Sequence, residues 1–200
     1  MSENSPEEPF FEGKEFTSSS CPAVLGGGEF VNSVFEGCDL TAGFPAGGRF
    51  SGCVFRNCDL SNVKPNGVSF QKVRFVECKM TGFDLGVCEK FLIDVGFEGC
   101  LVNFARFHKL PLKNTSFKRC DLRETDFAGS DLSGSSFDGC DLSGAVFSGT
   151  NLEKSDFRSA RNYNIDPVRN RIRKAQFSMP EAVGLLRGFD IVIKPPRNGG

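Results

Sequence analysis

The sequence predicts an all-β solenoid, a four-sided coil whose sides are five residues long. Three observations predict it. Every fifth residue from Phe97 to Phe157 is apolar, thirteen in a row: Phe97, Val102, Phe107, Leu112, Phe117, Leu122, Phe127, Leu132, Phe137, Leu142, Phe147, Leu152 and Phe157. Two positions before each of these the residue is small, as at Cys100, Ala105, Thr115, Cys120, Thr125, Ser130, Ser135 and Cys140, with Leu110 the exception. A second period of twenty links Cys38, Cys58 and Cys78, then Cys100, Cys120 and Cys140, then Phe97, Phe117, Phe137, Phe157 and Phe177. A period of five fits neither a helix at 3.6 nor a strand at 2.0. A large and a small residue pointing inward every five describe one side of a square, and four sides make a turn of twenty. Like residues then stack at the strand spacing of roughly 4.7–4.9 Å, so the core is a ladder of Phe and Leu.

From the N-terminus, residues 1–29 lead into the first coil. Phe10, Phe11 and Phe16 suggest an early strand, but their frame does not connect to Phe30. Residues 30–85 form the first section, in the frame Phe30, Phe35, Leu40, Pro45, Phe50, Phe55, Leu60, Pro65, Phe70, Phe75, Met80 and Leu85. Pro45 and Pro65 stack on one side, which should be irregular because proline cannot donate to a ladder. Residues 86–96 shift the frame by two residues and are expected to break or kink the coil. Residues 97–177 form the second section. Residues 178–200 change grammar. Ser178 and Glu181 form a capping-box pattern, and Ala182, Leu185, Leu186 and Phe189 follow at helical spacing. Phe189–Lys194 alternates like a short strand. A short helix and strand therefore cap the last edge, which would otherwise expose unpaired backbone. The apolar set Ala182, Leu185, Leu186, Phe189, Ile191 and Ile193 exceeds what one edge needs and is read as a homodimer interface.

Composition narrows the function classes. One histidine, His108, leaves no basis for a multi-histidine metal site or a His-based triad. Eight of the nine cysteines sit at or near the small inward position, where Cys is a small hydrophobe, and no C-x-x-C pair occurs. Gly26–Gly28 lacks the lysine and helix of a phosphate loop. No catalytic residue, cofactor site or metal site is expected, so the protein is read as a non-enzyme. No apolar run is long enough for a membrane span, and the N-terminus has no apolar signal core, so a cytoplasmic protein is expected.

Charge is uneven. The chain has 24 basic and 25 acidic residues; from Arg158 onward there are 9 basic and 3 acidic, leaving 15 and 22 in residues 1–157. Residues 121–157 hold eight acids and two bases. Glu98, Lys118, Asp138 and Arg158 form a column of alternating sign, read as an ion-pair ladder of little worth per pair. Asp121 and Asp141 stack like on like, and Asp126 and Asp131 have no vertical basic partner. Asp121, Asp126, Asp131 and Asp141 are therefore the candidate acidic, partner-binding face.

The segments Cys120-Asp121-Leu122-Arg123-Glu124, Ser130-Asp131-Leu132-Ser133-Gly134 and Cys140-Asp141-Leu142-Ser143-Gly144 resemble the pentapeptide-repeat family, over roughly residues 30–177. The resemblance implies a right-handed quadrilateral β-helix. In length, repeat number and C-terminal helix the chain resembles the family's topoisomerase-poison resistance branch, the Qnr-like proteins, with the loop-less albicidin-resistance type nearest because no long loop interrupts the twenty-residue spacing. That resemblance implies a rod-shaped homodimer that mimics DNA, binds DNA gyrase or topoisomerase IV and protects it from a poison, without binding nucleic acid or membrane itself. The alternative is a scaffold of the same fold with another protein partner.

Overall fold

Short strands from successive coils pair in parallel, and this pairing builds the whole molecule. A computed structural model describes residues 9–21, 28–44, 47–91 and 93–194. One face is a seven-stranded parallel sheet made from Glu15–Thr17, Val34–Glu36, Val54–Arg56, Val73–Val76, Val95–Glu98, Ser116–Lys118 and Ser136–Asp138. An adjacent face carries Phe10–Glu12, Glu29–Val31, Arg49–Ser51 and Ser69–Gln71. Elsewhere the coils touch through single parallel bridges such as Leu101 to Asp121 and Asp126 to Val146. Each strand is three or four residues long because the chain turns a corner every five.

The corners explain the residues that flank each apolar position. Thr125 N–H donates to the Leu122 carbonyl at 3.2 Å, and Glu124 between them has φ +56°. A left-handed third residue is the type II turn pattern, which favours glycine and asparagine. Gly129, Gly134, Gly139, Gly144 and Gly149 fill that corner in successive sides.

The core follows from the stack. Phe16, Phe35, Phe55, Phe75, Phe97, Phe117, Phe137, Phe157 and Phe177 form one unbroken column, with neighbouring rings parallel within 18° and centroids 4.5–5.4 Å apart. A second column stands beside it. In the N-terminal half it is Phe11, Phe30, Phe50 and Phe70; in the C-terminal half it is Phe107, Phe127 and Phe147, one side further round. Rings of adjacent columns meet edge to face, as Phe117 and Phe127 do at 81°. Both geometries suit the ring quadrupole.

The frame shift is absorbed locally. Phe75 pairs with Phe97, a spacing of 22, and the extra residues lie next to a 3-10 turn at Leu85–Val87. The phenylalanine column passes this point without interruption. The start of the coil is also resolved: Phe11 pairs with Phe30 and Phe16 with Phe35, so the first turn is one residue short and the early frame cannot align. Pro65 is buried on a side that forms turns rather than strand, and Pro45 lies outside the described residues.

The small inward residues are donors as well as fillers. Thr125, Ser135, Thr150 and Ser155 hydroxyls each donate to a carbonyl of the preceding coil, at 2.8–3.1 Å. Cys58, Cys78 and Cys100 thiols do the same at 3.3–3.4 Å. A buried donor of this kind contributes about 1 kcal/mol.

The C-terminal cap differs from expectation. Glu181–Phe189 is a 3-10 helix whose N-cap is Pro180, and no side chain caps it. Ser178 instead donates its hydroxyl to the Arg158 carbonyl, and Glu181 accepts from the Asn162 amide, so both capping-box residues are used to dock onto the coil. Residues 190–194 form no strand. The helix lies directly on Tyr163: a Cβ at Gly184 would fall 2.4 Å from the Tyr163 carbonyl oxygen.

Phe127 and Phe137 are fully buried. Phe127→Ala and Phe137→Ala should each cost about 3–5 kcal/mol in denaturant unfolding, because no neighbour in a stacked column can move in to fill the gap. Losses under about 1 kcal/mol at both sites would contradict this packing.

Candidate functional site

Side chains fill the coil, so the outer residues carry any recognition. At many of the outward positions that precede an apolar residue, an aspartate turns back on its own coil. Asp121, Asp126, Asp131 and Asp141 accept the amide N–H of Arg123, Ala128, Ser133 and Ser143 at 2.9–3.1 Å. Asp39, Asp59, Asp84 and Asp156 do likewise. This is an Asx turn, and it explains why the repeat uses aspartate there.

The four candidate aspartates do not share a face. Asp121 and Asp141 stack in the column Asp39, Asp59, Lys79, Leu101, Asp121, Asp141 and Arg161. Asp126 lies on the next side, between Arg106 and Val146, and Asp131 on the side after that, between Pro111 and Asn151. Consecutive five-residue segments necessarily occupy consecutive sides, which places Asp121 and Asp131 on opposite sides of the rod.

Three of the four are also paired. Arg123 grips Asp121 with two bonds, Nε to Oδ1 at 2.8 Å and Nη2 to Oδ2 at 2.6 Å. Arg161 Nε lies 3.3 Å from Asp141, which also receives the Asn162 amide at 3.0 Å and the Ser143 hydroxyl at 2.7 Å. Lys113 Nζ lies 3.4 Å from Asp131, and Asn151 donates to it at 2.9 Å. Asp131 thus has a basic partner that its vertical neighbours Pro111 and Asn151 do not supply, reached diagonally from the coil below. Asp126 does have a basic vertical neighbour, Arg106, contrary to the sequence expectation, but Arg106 turns to Asp84 at 3.6 Å, and among the described residues Asp126 has no ion pair. The alternating column holds only at its first rung: Lys118 pairs with Glu98 at 3.1 Å, but Arg158 turns to Asp156 in its own coil and Asp138 takes the Ser159 hydroxyl.

These contacts shift acidities. Burial pushes the Asp141 carboxyl up, but bonds from Ser143 and Asn162 and the Arg161 charge outweigh it and hold the group down at about 2. Arg123 holds Asp121 below the usual aspartate range, and the Ser133 and Lys113 contacts outweigh burial to do the same for Asp131.

Two outward residues of one segment depart from this pattern. Leu101 occupies the aspartate slot and is 46% exposed, as Val146 is on the next side. Phe104 occupies the left-handed corner, with φ +59°, and its ring is 59% exposed. Most other left-handed corners hold Gly, Asn, Lys, Arg or Glu. Bulky residues at φ > 0 are outliers, and such strain concentrates at functional sites. One segment thus gives up an Asx turn and an unstrained corner and exposes two apolar side chains. Phe104 borders a groove lined by Asn103, Arg123, Glu124 and Ser143. The signal stood in the sequence as departures from the repeat on the outer positions.

At the C-terminal edge, Leu185 packs against the core and Ala182 is half-buried, whereas Leu186, Phe189, Ile191 and Ile193 are exposed. No helix is long and apolar enough to cross a membrane among the described residues.

Comparison with known families decides the affiliation. The pentapeptide repeat region family matches residues 48–127, and the pentapeptide repeats (8 copies) family matches residues 120–158, together more than half of the chain. The chain belongs to the pentapeptide-repeat family. No curated protein sequence matches it. Among solved structures, it is similar to two trypsin-treated variants of QnrB1, described as a plasmid-mediated fluoroquinolone resistance protein. One is 20% identical with a TM-score of 0.46 and the other 18% identical with 0.48, each alignment covering 94% of this chain and 98% of the other. It is also similar to HetL, a pentapeptide-repeat protein involved in heterocyst differentiation regulation in the cyanobacterium Nostoc, at 17% identity and a TM-score of 0.30, covering 85% of this chain and 86% of that one. These likenesses concern the fold; the albicidin-resistance type is not among these matches.

Two outcomes are expected. Asp121, Asp131 and Asp141 have native pKa values below their unfolded ones, so the stability each contributes is present above the unfolded pKa and is lost as pH falls through the native one; for Asp141 that window runs from 3.8 down to about 2. Melting temperature should fall over that window, and Asp141→Asn should make the fall shallower. A parallel fall in wild type and variant would contradict the Asp141 assignment. Secondly, Phe104→Asn should stabilise the protein by about 1 kcal/mol in thermal unfolding, because asparagine tolerates the left-handed corner.

Proposed function

We propose that the protein is a non-catalytic docking rod whose partner is DNA gyrase, or topoisomerase IV, and that docking protects the enzyme from a poison. The observation that carries the docking half is the packing: Phe and Leu columns fill the interior end to end, and recognition is left to the flat outer sides. The partner comes from the sequence resemblance to the topoisomerase-poison resistance branch.

Docking centres on the side that bears Leu101 and Phe104, with coils on either side of them. An aromatic anchor ringed by polar contacts is the usual anatomy of an interaction hot spot. The aspartates Asp121, Asp126, Asp131 and Asp141 add rate and register rather than a single acidic face, and their effect weakens with salt. The internal pairing of three of them favours a second reading, a scaffold of this fold with a different protein partner, because a DNA mimic needs carboxylates that its own arginines do not neutralise.

A gyrase supercoiling assay with and without a fluoroquinolone separates the two. The gyrase reading expects binding and restored supercoiling from wild type. It expects at least a tenfold weaker effect from Phe104→Asn. The quadruple Asp→Asn variant should lose mainly at low salt while remaining folded, because asparagine keeps the Asx-turn acceptor. Absence of gyrase binding by wild type would leave the scaffold reading.

We also propose that the exposed Leu186, Phe189, Ile191 and Ile193 meet their copies in a homodimer through residues 178–194. Leu186→Asp should sediment as a monomer; a dimer from that variant would place the interface elsewhere.

A further inference from the structure

The basic excess at the C-terminal end of the rod is only partly consumed by pairing. Arg158 is claimed by Asp156, Arg161 by Asp141, Arg169 by Asp166 and Arg171 by Glu153, at 2.7–3.4 Å. Among the described residues Lys154, Arg173 and Lys174 have no ion pair. These three meet at one corner. Lys154 and Lys174 hold the same left-handed position in successive coils, at φ +61° and +59°, and the Lys154 N–H donates to the Arg173 carbonyl at 3.0 Å. Asn151 and Arg171 bridge the two coils just before the corner, and Asp156 and Gln176 bridge them just after it. The lysine backbones are therefore one coil rise apart, roughly 4.7–4.9 Å.

All three residues are exposed, and every acid beside them is engaged elsewhere: Glu153 with Arg171, Asp156 with Arg158 and, one coil below, Asp131 with Lys113. Like charges stacked across a ladder oppose folding, and the same corner one coil below holds a glycine, Gly134. Folding therefore does not ask for this arrangement. The corner also lacks an apolar anchor. Leu152 and Ser155 are buried, and Ile172 packs against the core. A protein interface is centred on buried aromatic or apolar side chains, whereas a phosphodiester backbone is held by positive charge and the release of its counterions.

We propose that Lys154, Arg173 and Lys174 bind the phosphodiester backbone of nucleic acid, without reading its sequence. This departs from what the family resemblance implies, and it does not rest on gyrase docking. Contact is confined to this end of the rod, because residues 1–157 carry 15 basic and 22 acidic residues and repel a polyanion.

The test is fluorescence anisotropy of a labelled DNA duplex titrated with the full-length protein over a series of salt concentrations. No topoisomerase is present, so failure here leaves the gyrase reading untouched. Three neutralised phosphates give log affinity a slope of about −2.7 against log salt. Lys154→Asn with Arg173→Gln and Lys174→Asn should bind at least tenfold more weakly at low salt and flatten that slope. Asparagine tolerates the left-handed corner, and circular dichroism checks the fold. Lys64→Gln with Lys72→Asn and Lys109→Asn removes the same charge from exposed positions elsewhere and should bind as wild type does. A duplex of scrambled sequence should bind equally well. No binding by wild type at low salt, an equal loss in both triple variants, or tighter binding of polyglutamate than of DNA at equal charge would each overturn the proposal, the last in favour of an acidic protein.

Discussion

The fold depends on one constraint: each coil must lie directly on the last at the parallel strand spacing. Once that spacing is imposed, a flat ring is the side chain that fills it best. Two phenylalanines twenty residues apart are held about 5 Å apart and nearly parallel by the backbone alone, which is an attractive offset geometry for aromatic rings. The unbroken column from Phe16 to Phe177 shows how strongly this controls the rest. Although paired residues are 22 apart across Leu85–Val87 and 19 apart at the first turn, the column stays in register. The second aromatic column is less constrained and moves round by one side between the halves.

The same constraint sets what the surface can do. A side only five residues long must turn at both ends, so two of its three outward positions serve the turn: an Asx acceptor before the apolar residue and a left-handed corner after it. Most of the carboxylates are thus structural before they are electrostatic. Once held against the backbone, they sit within reach of bases in their own or neighbouring coils, and Asp121, Asp131 and Asp141 are claimed in this way. An acidic excess along a stretch of sequence therefore does not translate into an acidic side, because successive aspartates are distributed round the rod.

The architecture was legible in the sequence because a period of five with a superperiod of twenty has only one compact solution. The core columns, the inward cysteines and the position of the cap all follow from it. What was not legible has three physical origins. Pairing round a rod is diagonal as well as vertical, so Lys113 could not be assigned to Asp131 from column membership. A capping-box pattern competes with tertiary partners, and here Ser178 and Glu181 are drawn to Arg158 and Asn162 of the coil edge. A small inward slot was read by volume alone, whereas Ser, Thr and Cys there also donate to a carbonyl of the coil below, which alanine cannot.

In a repeat this regular, information lies in the departures. Any position that obeys the pattern is accounted for by folding, and its chemistry says little about a partner. Leu101 and Phe104 break the pattern on the outside within one segment, one at the Asx slot and one at a left-handed corner, and both side chains point away from the packed interior. The thiol column shows the other side of this rule. Six successive coils place cysteine in the small inward slot where Ser135 and Thr150 donate to a carbonyl of the preceding coil, and Cys58, Cys78 and Cys100 make the same bond, so folding accounts for them and they say little about a partner.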